Sequence, residues 1–267
     1  MSNELQIFNS SEENYKYLAE LTGAQVRENI FLPRLAVNRD AEDEEGNVQP
    51  LGHFSISRQN DTPLFSKECT LRVFINAYQY QEYSPVEGKY THRSVIIKKF
   101  SEEAFDTKGT FACGKVPNKQ RDTLSMEELA QQKNLKCNRL MYGLANFDGT
   151  DTPVVMKLSG SNFLAPQDAF KAIEKQKHLY FQHNLKLTTK REKKGTNTYY
   201  VVQVSPVLDV TIPFTEEDME IFRMFQEVID RDNRYVMSEW KKAKHDVVEE
   251  YDLAKELAFD FDDEVKV

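Results

Sequence analysis

Flat rings and long cations recur in this chain on segments of alternating polarity. Together they supply the chemistry that holds single-stranded nucleic acid, in which bases stack on rings and phosphates pair with cations. The segment CTLRVFINAYQY (69–80), taken as a strand, sends Cys69, Leu71, Val73, Ile75 and Ala77 to one face. Arg72, Phe74, Asn76, Tyr78 and Tyr80 then share the other, a mixture of rings, amide and guanidinium that is unusual for a plain solvent face. RSVIIKKF (93–100) reads as its hairpin partner across the Gly88 turn and adds Arg93, Lys98 and Lys99. A second hairpin is predicted from LYFQHNLKLTTK (179–190) and TYYVVQVS (198–205), joined by REKKGTN with Gly195 placed for the turn. Leu179, Phe181, Leu185 and Leu187 point one way and Tyr180, Lys186 and Lys190 the other. With Arg191, Lys193, Lys194 and Tyr199 this hairpin offers a basic, aromatic outer surface. Rings are common in any strand, and a lysine-rich turn also serves solubility alone.

Other chemistries find less support. GTFACGKV (109–116) has Gly109, Gly114 and Lys115 at the spacing of a phosphate-binding loop, but Val116 stands where a Mg²⁺-ligating hydroxyl is required and Pro117 interrupts the helix that should follow. Cys113 and Cys137 stand 24 residues apart with no neighbouring Cys or His to complete a zinc site. Gly46 as the sixth residue of a calcium loop would put Ala41 in the first position, where a carboxylate belongs. No nucleophile elbow surrounds Ser159 or Ser161, and His53, His92, His178, His183 and His245 follow no metal-binding or catalytic spacing. The expectation is a binding protein, not an enzyme, with no metal and no cofactor.

The elements that would position these faces are mainly strands. FLPRLAV (31–37) and LGHFSIS (51–57) flank the acidic loop NRDAEDEEGNVQP, expected to be solvated and mobile; RLMYGLANF (139–147) and PVVMKL (153–158) flank the turn DGTDT. Helices are predicted at the N-terminus, where Ser10 and Glu13 form a capping box, and at 167–177. A third begins after Pro213, where Thr215 and Asp218 precede Met219, Phe222, Phe225 and Ile229 at helical spacing; Val236, Trp240, Ala243 and Val247 extend it. The expected organisation is a helical lead (1–29), a β-rich body (30–210), a helical segment (211–258) and an acidic tail (259–267).

Charge is segregated along the chain. The net charge of −8 argues against a polyanionic partner until it is resolved by position. Thr91 to Asp209 carries 19 Lys and Arg against 12 Asp and Glu, a net +7. Lys171 to Lys194 alone holds eight cations against Glu174 and Glu192, whereas Asp246 to Val267 holds nine acids against Lys255 and Lys266. In that tail Phe259 and Phe261 interleave with Asp260, Asp262, Asp263 and Glu264, a pattern able to compete for a basic groove or to dock on a basic partner protein. No stretch has the roughly 18 apolar residues of a membrane span, and three cysteines make no disulfide framework, so a reducing cytoplasm is expected.

The β-rich body with its basic and aromatic faces, the helix after Thr215 and the tail AFDFDDEVKV resemble the single-stranded-DNA-binding proteins of bacteriophages. FINAYQYQ, CGKVPNKQRD and CNRLMYGL are also similar to phage proteins. The resemblance implies an α+β, mainly antiparallel fold of OB type with helical elaborations at both ends. It further implies sequence-independent coating of single-stranded DNA during phage replication or recombination, in the host cytoplasm, with the tail recruiting replication proteins and homo-oligomers possible. The alternative is a virion structural or assembly protein, whose β faces would be subunit interfaces.

Overall fold

The computed structural model of the protein describes residues 32–43, 45–57, 63–99, 104–109, 122–147 and 149–244. Leu32 opens a compact unit that carries all of them. The N-terminal capping box, the loop pattern at 110–116 with Cys113, and the acidic tail lie outside the described residues.

Among the described residues nine strands form one sheet: β1 (Arg34–Val37), β2 (Phe54–Ser57), β3 (Leu64–Ser66), β4 (Glu68–Ser84), β5 (Lys89–Arg93), β6 (Leu135–Asn146), β7 (Asp151–Leu158), β8 (Asn184–Lys194) and β9 (Asn197–Pro206). Among the described residues three α-helices accompany them: α1 (Met126–Asn134), α2 (Gln167–Lys175) and α3 (Glu216–Lys244). The strands run in the order β3-β2-β1-β7-β6-β4-β8-β9, and β5 continues the far edge of β4. Every pairing is antiparallel except β1 with β7. The fold is therefore α+β with a mostly antiparallel sheet, and its ladder is open between β3 and β9.

β4 and β6 are the spine, with β6 buried along most of its length and β4 buried chiefly from Val73 to Tyr80. One core joins Leu35, Ile56, Leu71, Met141, Met156, Leu185, Leu187 and Val202 with Ala169, Phe170 and Ile173 of α2. Residues from both ends of the ladder meet in it because the sheet curls around α2. The curl also brings the Thr189 hydroxyl, which donates to the Gly52 carbonyl at 2.6 Å. A second core lies beneath α3, where Phe222, Phe225 and Ile229 pack on Phe74, Ile75 and Ala77. A third joins Val236, Met237 and Trp240 to Tyr80 and Leu135. Each fully buried side chain of this size contributes roughly 1.5–3 kcal/mol.

The alternation expected for β4 fails at Phe74. Val73 pairs with Gly143 and Ile75 with Tyr142, so Phe74 is a bulge residue and the phase of the strand reverses there. Cys69, Leu71 and Val73 share one face, as anticipated, and it packs in the α2 core, but Ile75 and Ala77, expected on that face, join Phe74 beneath α3. The predicted partner RSVIIKKF is also displaced. Lys89–Arg93 pairs with the end of β4, while the following residues leave the ladder and touch β4 through the isolated bridge Tyr78–Ile97. Asn233 of α3 explains the departure: its Oδ1 accepts from the Ile96 N–H at 2.6 Å and its Nδ2 donates to the Ile96 carbonyl at 3.2 Å, replacing a strand neighbour.

The capping box at Thr215 and Asp218 forms as read, with Thr215 N–H donating to the Asp218 carboxylate at 2.9 Å and Asp218 N–H to the Thr215 hydroxyl at 3.3 Å. α1 was not anticipated, although Ser125 and Glu128 form an equivalent box at its start. The acidic loop after β1 is ordered by Asp43, whose carboxylate accepts from the backbone of Glu45 and Asn47 and from the side chains of Asn47 and Gln49. These bonds, the Asn47 side chain foremost, hold the Asp43 carboxyl below its ordinary pKa.

Candidate nucleic-acid interface

The first aromatic face proposed from sequence is a helix-docking face. Phe74 is 5% exposed and stands 6.0–6.2 Å from the rings of Phe181, Phe222 and Phe225; Tyr80 is fully buried. Neither offers a ring to a base. Arg72 forms a two-pronged pair with Asp218, both nitrogen–oxygen distances 2.8 Å, and its Nε donates to the Phe181 carbonyl at 2.6 Å. It ties β4 to the first turn of α3. Arg93 pairs with Asp232 at 2.7 Å and lies over the Tyr235 ring. Tyr78 is half-buried, its hydroxyl accepting from Arg139 at 3.2 Å. Lys98 is half-buried beside Asp230, and only Lys99 of this group is exposed. A face bearing rings and one cation suits a helix that brings phenylalanines and an aspartate, and that pairing takes Arg72, Phe74 and Tyr80 away from solvent.

The second hairpin keeps its cations outside. The segment 179–183 is not part of it: Tyr180–Gln182 is a turn of 3-10 helix and Leu179 is exposed. β8 starts at Asn184, and Leu185 and Leu187 enter the core as expected. β8 and β9 stay paired to Lys194 and Asn197, leaving only Gly195 and Thr196 as the loop. Gly195 has φ +63 and Thr196 is not in the left-handed region, the pattern of a II′ turn whose twist matches the flanking strands. The last buried side chains are Leu187 and Val202, so the ribbon from Lys190 to Val201 projects as a two-stranded arm.

Alternation divides the arm's side chains. Lys186, Lys190, Lys194 and Tyr199 share one face, where Lys186 pairs with Glu68 at 3.0 Å and Lys190 with Glu192 at 3.2 Å. The Tyr199 hydroxyl donates to Glu192 at 3.2 Å, and this bond foremost raises its pKa. Arg191, Lys193 and Tyr200 share the other face. Among the described residues no carboxylate pairs with Arg191, Lys193 or Lys194, all exposed.

At the root of the arm lies a groove of about 370 Å³ lined by Arg39, Ser159, Gly160, Ser161, Thr198, Tyr199 and Tyr200. The turn Gly160–Asn162 after β7 forms one wall and β9 the other. Asn162 holds them together: its buried Oδ1 accepts from the Val202 N–H at 2.8 Å. Arg39, Ser159, Ser161 and Tyr200 escaped the sequence reading because they come from three separate elements. The doublet Tyr199–Tyr200 was their one visible signal.

The arrangement sets a guanidinium, hydroxyls and rings beside the exposed cations Arg191, Lys193 and Lys194. Among the described residues no group of three or more His, Cys, Asp and Glu is placed to hold a metal. Cys69 and Cys137 form no disulfide among the described residues, and burial pushes the Cys69 thiol up to about 12. No helix among the described residues is long and apolar enough to cross a membrane. Compared with protein-family models, with curated proteins and with solved structures, the chain matches none.

Proposed function

We propose that this protein binds single-stranded DNA without sequence preference and carries out no chemistry on it. The observation that carries the reading is the arm at β8 and β9, whose Arg191, Lys193 and Lys194 have no carboxylate partner among the described residues and stand beside a groove bearing Tyr199, Tyr200 and Arg39. A positive track with rings at strand spacing is what an unpaired strand requires. The curl that joins Thr189 to Gly52 supports a barrel-like body of OB type, with the arm as one of its binding loops. In this reading the protein coats exposed strands during phage replication or recombination in the host cytoplasm, and the tail from Phe259 to Glu264 contacts replication proteins. The open edges of the sheet favour a second reading, a virion assembly protein that pairs strands between copies.

Fluorescence anisotropy with labelled oligo-dT and matched duplex, at two salt concentrations, separates the two. Preference for the single strand that weakens with salt is expected, and replacing Lys193 and Lys194 by Glu should lower affinity severalfold. Losing two phosphate contacts should also shrink the salt slope by about 1.4. Absence of binding, together with a stable DNA-independent oligomer, would leave the assembly role.

A further inference from the structure

Away from the arm, five residues of β1, β4, β5, β6 and β7 come together. The Tyr83 and Tyr90 rings meet edge to face at 5.5 Å. Lys136 Nζ lies 5.8 and 5.5 Å from their centroids, and Lys157 Nζ lies 5.2 Å from that of Tyr90. Lys157 donates to Gln81 Oε1. Arg34, across the β1–β7 pairing, adds a third positive charge felt at Lys157. Among the described residues none of these three cations has a carboxylate partner.

Such a cluster costs stability. Lys157 is half-buried, and burial, then Arg34 and Lys136, lower its pKa to about 8. Uncompensated like charges assembled on rigid strands mark a place shaped by an anionic ligand more often than by folding. Tyr90, 44% exposed, offers a ring in the same place. An anion that also brings a flat ring is a nucleotide. The cluster is spread over β1, β4, β5, β6 and β7, which suits a polymer lying across strands.

The cluster is also joined to the groove by its own strands. Lys157 is two residues before Ser159 on the chain that enters the groove wall, and Arg34 is five residues before Arg39, at most about 17 Å of extended backbone. We propose that Arg34, Lys136 and Lys157 with Tyr90 form a second contact for the same nucleic-acid strand, taking phosphates on the cations and a base on the ring. This rests on the proposed function and assigns the strand a path from the arm, through the groove, over the ends of β1 and β7.

The test is lysine footprinting of the full chain. The native protein is acetylated with an N-hydroxysuccinimide ester, with and without a saturating oligo-dT of about 20 nucleotides, longer than one OB-type site. Modified lysines are then read by mass spectrometry. Protection of Lys136 and Lys157 together with Lys190, Lys193 and Lys194 is expected. Protection confined to the arm overturns the second contact and leaves single-strand binding standing, whereas no protected lysine anywhere removes both. A paired measurement uses Lys136→Gln with Lys157→Gln. Affinity for the long oligonucleotide should fall severalfold and its salt slope by about 1.4, while binding of one of about 6 nucleotides stays unchanged. An unchanged slope for the long strand overturns the inference.

Discussion

Gly143 shows how one missing Cβ fixes the local geometry of this sheet. It faces Val73 beside the bulge at Phe74, and a Cβ there would sit 2.3 Å from the Arg72 carbonyl oxygen. Backbone cannot yield as a side-chain tip can, so Gly143→Ala is expected to destabilise by about 1–3 kcal/mol, seen as a lower urea midpoint with an unchanged slope. Lys157 carries a pH signature. Its folded pKa of about 8 lies below the ordinary 10.5, so between these values the unfolded chain binds a proton that the folded one does not. Stability is then expected to rise with pH from 8 to 10.5, the full penalty being present below pH 8. Lys157→Met should flatten that rise, measured as the difference in urea midpoints between the two proteins across the window. At this scale the rings and cations of the proposed surface were legible in the sequence, but their exposure was not. Lys193 and Tyr199 reach solvent while Phe74 and Tyr80, chosen by the same alternation, are covered.

At the scale of elements, α3 decides what β4 becomes. Its stripe of Phe222, Phe225, Ile229, Val236 and Trp240 was readable from period alone, whereas Met237, also buried, was not named by it. The polar residues interrupting that stripe were not, and they set the docking: Asp218 holds Arg72, Asp232 holds Gln79 and Arg93, and Asn233 holds the backbone of Ile96. Asn233→Ala leaves a buried N–H and carbonyl unsatisfied and is expected to cost about 1–3 kcal/mol. Amide exchange at Ile96 should accelerate by more than at Leu71, which lies in the other core. The bulge at Phe74 was invisible to pattern reading because one inserted residue keeps the composition of a strand while reversing its faces. α1 was missed because its interior is weakly amphipathic, although its capping box was present in the sequence as Ser125 and Glu128.

For the whole molecule, charge distribution outweighs net charge. A chain of −8 exposes Arg191, Lys193 and Lys194 on its arm without a carboxylate partner among the described residues, while its acids are concentrated along the sequence elsewhere, above all after Asp246. Removing Phe259–Val267 deletes four carboxylates and one lysine, and is expected to tighten binding of oligo-dT at low salt, measured by anisotropy, with the difference vanishing as salt screens the tail. The sequence by itself determined a mainly antiparallel body, a long amphipathic helix after Thr215 and a basic hairpin, because periodicity, caps and turns are local properties that a few neighbouring residues specify. Only the tertiary structure decided that the ladder stays open from β3 to β9 and curls around α2. It alone covered the β4 face with α3 and gathered Arg39, Ser161 and Tyr200 into one groove, and Arg34, Lys136, Lys157 and Tyr90 into another cluster. Those outcomes depend on register and on which surfaces meet across a hundred residues of chain, and no local pattern records them.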